Sequence, residues 1–298
     1  MDEQTRIVKF VAKPDPRRYE WKTMGNDEVL YDKFDRICFP KHIVKDMAES
    51  MSGMPIYYQP ATIRDAPEYV RLRQPLIRSM LRGEQATPSM ADPSDEFLCS
   101  LEINELDFVI LSLDVVGSTA LSTALTPSEY ARVIQVLLFE IAEVIPHFNG
   151  HVLKYVGDEV VAYFAAPSFV TKNDLALNCA LTLRRLVNDG LNPILVENGY
   201  APVNVRIGID SGPAIVTTIG SPSTKQHKDL IGDVINLACK IQKRAPLGGI
   251  AVGDVTLRNL HTEWRMMCDE LAMGEDWEYQ DRETGERYRV HYLRFVGE

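Results

Sequence analysis

Residues 108–119 read FVILSLDVVGST. An apolar run ends in a lone aspartate, Asp114, and Gly117, Ser118 and Thr119 follow at once. A continuous apolar run of this length predicts a buried strand. Such a strand delivers one carboxylate to its mouth and then exposes backbone amides. A carboxylate can hold a hard divalent cation, and free amides can cradle phosphate. A second stretch, HVLKYVGDEVVAYF over 151–164, predicts a hairpin with Gly157 and Asp158 at its turn. Two carboxylates on neighbouring strand ends beside a phosphate cradle point to metal-assisted chemistry on a nucleoside triphosphate.

Around these strands the pattern is sharp. Thr126-Pro127-Ser128-Glu129 opens a helix, with Thr126 as N-cap, Pro127 at the first helical position and Glu129 completing a capping box. That helix is expected to stop near Asn149-Gly150, and a second is expected over 174–188. Two strands are expected over 203–209 and 214–219, joined through Ser211-Gly212-Pro213. A helix over 233–244, a short strand over 250–252, a short helix over 254–260 and a C-terminal hairpin turning at Thr284-Gly285 complete the reading. The order predicts an α+β fold: an antiparallel sheet related to the ferredoxin-like plan, with helices packed on one face.

Residues 1–104 differ in character. They carry Pro14, Pro16, Pro40, Pro55, Pro60, Pro67 and Pro75, and their periodicity is weak. Helices are expected only over 42–51 and 67–82. The polar segment 83–96, GEQATPSMADPSDE, reads as a linker. The expected organisation is an N-terminal extension, 1–104, ahead of a catalytic domain, 105–298. The extension is read as regulatory or dimer-supporting, or as simply packed on the main domain.

The chain has 298 residues, 45% of them hydrophobic, enough for a sizeable core. Thirty-two basic against 42 acidic residues give a net charge of −10, which disfavours a nucleic-acid partner. An anionic substrate stays open, because bound cations invert a local field. Five cysteines (Cys38, Cys99, Cys179, Cys239, Cys268) are scattered and read as free thiols of a reducing compartment. No apolar run reaches membrane-helix length and no signal peptide is legible, so a cytoplasmic protein is expected.

Three segments, LDVVGST (113–119), KYVGDE (154–159) and KDLIGDVINLACK (228–240), stand in an order that resembles the catalytic domain of class III adenylate and guanylate cyclases. The resemblance covers about 105–260 and implies a nucleotidyl cyclase, a lyase that makes a 3′,5′-cyclic nucleotide and pyrophosphate. It implies that Asp114 and Asp158, with the Val115 carbonyl, hold two Mg²⁺ or Mn²⁺ ions, which lower the pKa of the ribose 3′-hydroxyl and steady the leaving pyrophosphate. Gly117, Ser118 and Thr119 would offer amides to the phosphates. Asn236 would orient the ribose, and Lys240 stands where the family usually has an arginine that steadies the reacting phosphate. Arg244 is a substitute candidate, and Arg282 and Arg287 are candidates for a C-terminal phosphate contact.

The resemblance also assigns base selection to Lys154 and Asp229, the pair that adenylate cyclases set on the adenine edge; guanylate cyclases have Glu and Cys there. Adenine, cytosine and uracil can each satisfy an ammonium beside a carboxylate. Adenylate cyclase is therefore the first expectation. A pyrimidine (cUMP or cCMP) cyclase of a Pycsar-type anti-phage system is the alternative, and an inactive nucleotide-binding module is the second. A diguanylate cyclase is disfavoured, since the hairpin carries no GGDEF-like turn. In this family the site forms between two catalytic domains, so a homodimer with two interfacial sites is implied.

Overall fold

The structure is a computed structural model that describes residues 19–25, 27–32, 38–50, 61–86, 98, 105–165, 171–221, 223–224, 226–282 and 284–295. The chain divides into two units, Met1–Gln59 and Pro60–Glu298. In the first, β1 (Tyr19–Met24) and β2 (Asp27–Asp32) form an antiparallel hairpin, β3 (Cys38–Pro40) pairs with β2, and α1 (Lys41–Ser50) follows. The weak periodicity gave no hint of these strands.

The second unit begins with α2 (Ala66–Leu81), so this helix belongs with the main body, ahead of the segment expected as a linker. Residues 87–96 of that segment lie outside the described residues. The Asp65 side chain caps α2 by accepting from the Glu68 N–H at 3.0 Å. Arg73 holds α2 to the body, giving Glu140 two hydrogen bonds of 2.9 and 2.8 Å.

Then come β4 (Glu105–Val116), α3 (Ser118–Ala124), α4 (Pro127–Val144), β5 (His151–Val156), β6 (Glu159–Phe164), α5 (Lys172–Arg185) and α6 (Asn192–Glu197). They are followed by β7 (Asn204–Gly220), β8 (Gln226–Ile231), α7 (Asp233–Arg244), β9 (Ile250–Gly253), α8 (Asp254–Asn259), α9 (Thr262–Met266), β10 (Cys268–Glu270) and β11 (Val290–Leu293). The eight strands β4–β11 form one sheet in the order β10-β11-β9-β7-β4-β6-β5, with β8 on the far half of β7. All pairs are antiparallel except β7 with β9. The capping box at Thr126 and Glu129 is present in both directions.

Three expectations need correction. Helices cover both faces of the sheet rather than one. Val109, Leu111 and Leu113 of β4 pack into the core shared with α4 and α5, while Phe108 and Ile110 share the opposite cluster with Val234, Ile235 and Ala238 of α7. An unbroken apolar strand, rather than an alternating one, is the signature of burial on both sides.

The two strands expected around Ser211-Gly212-Pro213 are one strand of 17 residues. Pro213 sits between the pairing of β9, which ends at Ile209, and that of β8, which starts at Ile215, and there β7 has β4 alone as neighbour. A proline is tolerated where only one side of a strand is paired. Finally, the C-terminal hairpin shrinks to a single bridge between Gln280 and Arg287, and β11 pairs instead with β9 and β10.

Candidate active site

The sheet face that carries α7 gathers the polar side chains. Residues at i and i+2 of a strand share a face, as do residues directly opposite across a pair. Ser112 and Asp114 of β4 therefore share this face with Arg206, which stands opposite Asp114 on β7. Glu159 joins them, because the buried Ser112 hydroxyl donates to its Oε1 at 2.9 Å.

Asp114 is half-buried near the end of β4, and Asp158 occupies the β5–β6 turn beside Gly157, whose φ of +67° suits a tight reversal. Burial, and next the negative charges of Asp158 and Glu159, hold the Asp114 carboxyl above the usual carboxylate range; Arg206 and Lys243 act against them. This juxtaposes the two acids named from sequence. Among the described residues no cluster of three or more His, Cys, Asp or Glu is poised for a metal. Two hard carboxylates whose charges repel each other fit a divalent cation of the Mg²⁺ kind, which takes one or two protein carboxylates and completes its shell with water and phosphate oxygens.

Gly117 sits at the N-terminus of α3 with φ +102°, a left-handed conformation that glycine adopts freely. Ser118 and Thr119 form the first turn of that helix, next in chain to Val115 and Val116 at the end of β4.

Lys154 and Asp229 meet directly. The ammonium lies 3.0 and 2.7 Å from the two carboxylate oxygens, and Asp229 is buried while Lys154 is partly exposed. The Leu230 N–H donates to Asp229 Oδ1 at 2.8 Å, which fixes the carboxylate's orientation. Asn236 and Lys240 are both exposed on α7, four residues apart and hence on one side of the helix. Lys154 and Asp229 bond to each other, while the charges that act most on Asp114 are those of Asp158, Glu159, Arg206 and Lys243.

The secondary candidates have other partners. Arg244 pairs with Asp276, Arg282 pairs with Asp233, and Arg287 donates to the Gly274 and Trp277 carbonyls.

Sequence reading missed three residues. The Arg206 Nε is buried and has no hydrogen-bond partner among the described residues. Its signal was an arginine inside the apolar strand NVRIGI. His227 Nε2 stands 3.8 Å from Asp229 Oδ2, two residues away and hence on the same side of β8. Glu159 was visible only as the partner of Asp158 in the GDE triplet.

The adenylate and guanylate cyclase catalytic domain family matches residues 104–281, more than half of the chain. The chain belongs to this family. A cytidylate cyclase of Escherichia coli is 26% identical over 160 residues, and an adenylate cyclase of Anabaena cylindrica is 29% identical over 156. Each match covers 51% of this chain but only 35% and 30% of those relatives, about a third of their length. A uridylate cyclase of Rhodovulum sp. is 24% identical over 231 residues, covering 74% of this chain and 94% of that protein. Among solved structures, the guanylyl cyclase Cya2 matches with a TM-score of 0.56 at 23% identity, covering 66% of this chain and 96% of that one. The adenylyl cyclase CyaB from P. aeruginosa matches with a TM-score of 0.56 at 19% identity, over 65% of this chain and 97% of that one. These likenesses establish the fold of the cyclase-family chain.

Proposed function

We propose that this chain is a nucleotidyl cyclase, converting a nucleoside triphosphate to a 3′,5′-cyclic nucleotide and pyrophosphate. The observation that carries the reading is the pairing of Asp114 with Asp158 at adjacent strand ends, a like-charge pair that burial makes costly without a cation. Asp114 and Asp158, with the Val115 carbonyl, would hold two Mg²⁺ or Mn²⁺ ions. Bound there, the ions would supply acidification of the 3′-hydroxyl and neutralisation of the phosphate charge.

The chain's own groups do the rest. Ser118 and Thr119 amides, at a helix start entered through Gly117, face the phosphates. Arg206, with an unsatisfied buried N–H opposite Asp114, supplies a second cationic contact to them. Asn236 orients the ribose and Lys240 steadies charge on the reacting phosphate. In this reading the chain forms a homodimer in which each site takes its acids from one copy and Lys154, Asp229, Asn236 and Lys240 from the other, twofold pairing being the commonest closed arrangement of soluble oligomers. Tyr155, Val156, Ile215, Ile219 and Ile231 are exposed on β5, β7 and β8, an apolar surface suited to such pairing.

For the base, Lys154 donates and Asp229 accepts. Adenine is the first reading, through N1 and the 6-amino group. Uracil is the second, favoured by the uridylate cyclase matched over nearly its whole length, and it would link the chain to Pycsar-type anti-phage signalling. His227 Nε2 stands near the oxygen that Lys154 also approaches, and adds a second donor beside that carboxylate. Two donors and one acceptor suit O4, O2 and N3–H of uracil, N1, N7 and the 6-amino group of adenine, or O2, N3 and the 4-amino group of cytosine. The deciding experiment incubates purified protein with ATP, GTP, CTP and UTP, each with Mn²⁺ and with Mg²⁺, and identifies the products. A cyclic product from ATP, UTP or CTP is expected. No cyclic product from any of the four would leave only a binding module.

A further inference from the structure

A cavity of about 550 Å³ lies within the second unit, away from the acid pair. It is lined by Asp107 and Phe108, near the start of β4, whereas Asp114 is near that strand's other end, about 23 Å from Asp107 at the rise of a strand. Its back wall is the stretch Asp210 to Pro213, where β7 has β4 on one side and no paired strand on the other. Alternate residues of that stretch turn their N–H and C=O groups away from β4. Phe108, Val234, Leu237 and Tyr279 give apolar walls. The volume falls in the range of small-molecule sites, and an apolar lining with a few convergent polar groups is their usual character.

The polar lining has a buried lysine, a buried aspartate and a spare donor. Lys172 is buried, with its ammonium donating to the Asp107 carbonyl at 2.6 Å. Asp210 is buried and accepts from the Tyr288 hydroxyl at 2.7 Å. Asn173 accepts the Ser211 hydroxyl at 2.6 Å, while its Nδ2 is buried with no partner among the described residues. Of the other charges in the lining, Asp107 lies near Lys172, Arg258 pairs with Asp281 and with Asp254 beyond the lining, and Arg282 pairs with Asp233. Burial lifts the Asp210 carboxyl to about 7, so the empty cavity disfavours its charge. An ammonium group brought in by a ligand would restore that charge.

We infer that this cavity is a second ligand site, for a small zwitterion of the α-amino-acid class with an apolar or aromatic side chain. Its carboxylate faces Lys172 and the Asn173 amide, its ammonium faces Asp210, and its side chain lies against Phe108, Leu237 and Tyr279. Asp233, Val234 and Leu237, from the first two turns of α7, form one wall, so the ligand touches the helix that also carries Asn236 and Lys240.

The test is calorimetric titration of the full chain with L-leucine and L-phenylalanine up to about 10 mM, above the millimolar range of weak sites. The methyl esters, which lack the carboxylate, and the N-acetyl derivatives, which lack the ammonium, are titrated into the same protein. Binding of at least one amino acid is expected, weakened roughly 10- to 100-fold by either chemical block and by Lys172→Met or Asp210→Asn. The inference is overturned if neither amino acid binds, or if the esters and acetylated forms bind as well as the parents. The blocked ligands need no variant, so misfolding of a variant cannot decide the outcome. Failure here leaves the cyclase reading untouched, since the product assay needs no amino acid.

Discussion

The Lys154 ammonium lies 2.7 Å from Asp229 Oδ2, and His227 Nε2 lies 3.8 Å from the same oxygen. On the proposed base-reading role, lysine alone would suit any base with an acceptor, and the carboxylate beside the two donors would restrict the choice. Asp229→Ala leaves Lys154 without its acceptor, and a site built to hydrogen-bond a base edge then loses discrimination. The expected result is a roughly 10- to 100-fold fall in kcat/KM for the preferred nucleotide and a flatter ranking among the four. His227→Ala should lower kcat/KM for the preferred nucleotide, and so change the ranking, without abolishing turnover. Competition assays with all four nucleotides read both, and an unchanged ranking in His227→Ala would remove it from base selection.

Asp114→Asn and Asp158→Asn should each cut turnover by about 1000-fold or more, with thermal melting no lower than that of the parent protein. Each change removes one member of a repelling, partly buried pair, so stability should hold or rise while cation binding is lost. If sites are shared between copies, mixing Asp114→Asn with Lys240→Ala should recover roughly a quarter of parental activity. Random re-pairing makes half the dimers mixed, each with one intact site of two. No recovery on mixing, with exchange of copies verified, would place each site within a single chain.

Much of this was legible because local chemistry decided it. The capping box at Thr126, the turn at Gly157-Asp158 and the helix carrying Asn236 and Lys240 each rest on a few adjacent residues, and each stands where the sequence put it. What escaped depends on pairings distant in the chain. Pro213 reads as a breaker until its place between the β9 and β8 pairings is known. Arg206 reads as a stray charge until it is seen opposite Asp114, and the capture of Arg244 by Asp276 depends on a loop 32 residues away. The strands of the first unit, with exposed Trp21 and Met24, lack the alternation that would announce them.

On the proposed reading, Arg206 and Lys240 serve the phosphates once Arg244 and Arg282 are tied to Asp276 and Asp233, and Lys243 also stands near Asp114. Lys240→Ala should lower kcat roughly 10- to 100-fold with little change in KM, as expected for a contact made mainly in the transition state. Lys240→Arg should match or exceed the parent, because a planar guanidinium grips phosphate at two points. Arg206→Leu should raise KM as well as lower kcat. Arg244→Ala should change kcat by less than about threefold, its partner being an exposed aspartate. Steady-state kinetics on the four variants check this, and a large kcat loss in Arg244→Ala would reassign the transition-state role to it.

Asp210 sets a pH dependence. Burial raises its folded-state pKa to about 7 from 3.8. The folded protein therefore holds a proton that the unfolded chain releases, and stability falls as pH rises from about 4 to about 7, then levels off. The full effect is on the order of 4 kcal/mol. Asp210→Asn keeps an acceptor for the Tyr288 hydroxyl and removes the titration. Its urea midpoint should be flatter across that window and higher than the parent's at pH 8. Parallel pH profiles for the two proteins would expose a different source of the slope.

Gly208 ties the sheet to α7. A Cβ there would overlap the Gln242 N and the Ala238 O of the α7 backbone, so strand and helix touch main chain to main chain. Neither partner can step aside as a flexible side chain could, and Gly208→Ala must push α7 off the sheet. Overpacking of this kind costs about 1–3 kcal/mol or more. The displacement falls on the helix that carries Asn236 and Lys240 and leaves Asp114 on β4 in place. Turnover should therefore fall well beyond what the lost stability explains, while Mn²⁺ binding in the presence of nucleotide is retained. Thermal melting, metal titration and product formation on one preparation separate the three quantities. Equal loss of metal binding and turnover would mean that the strain spreads into β4 instead of stopping at α7.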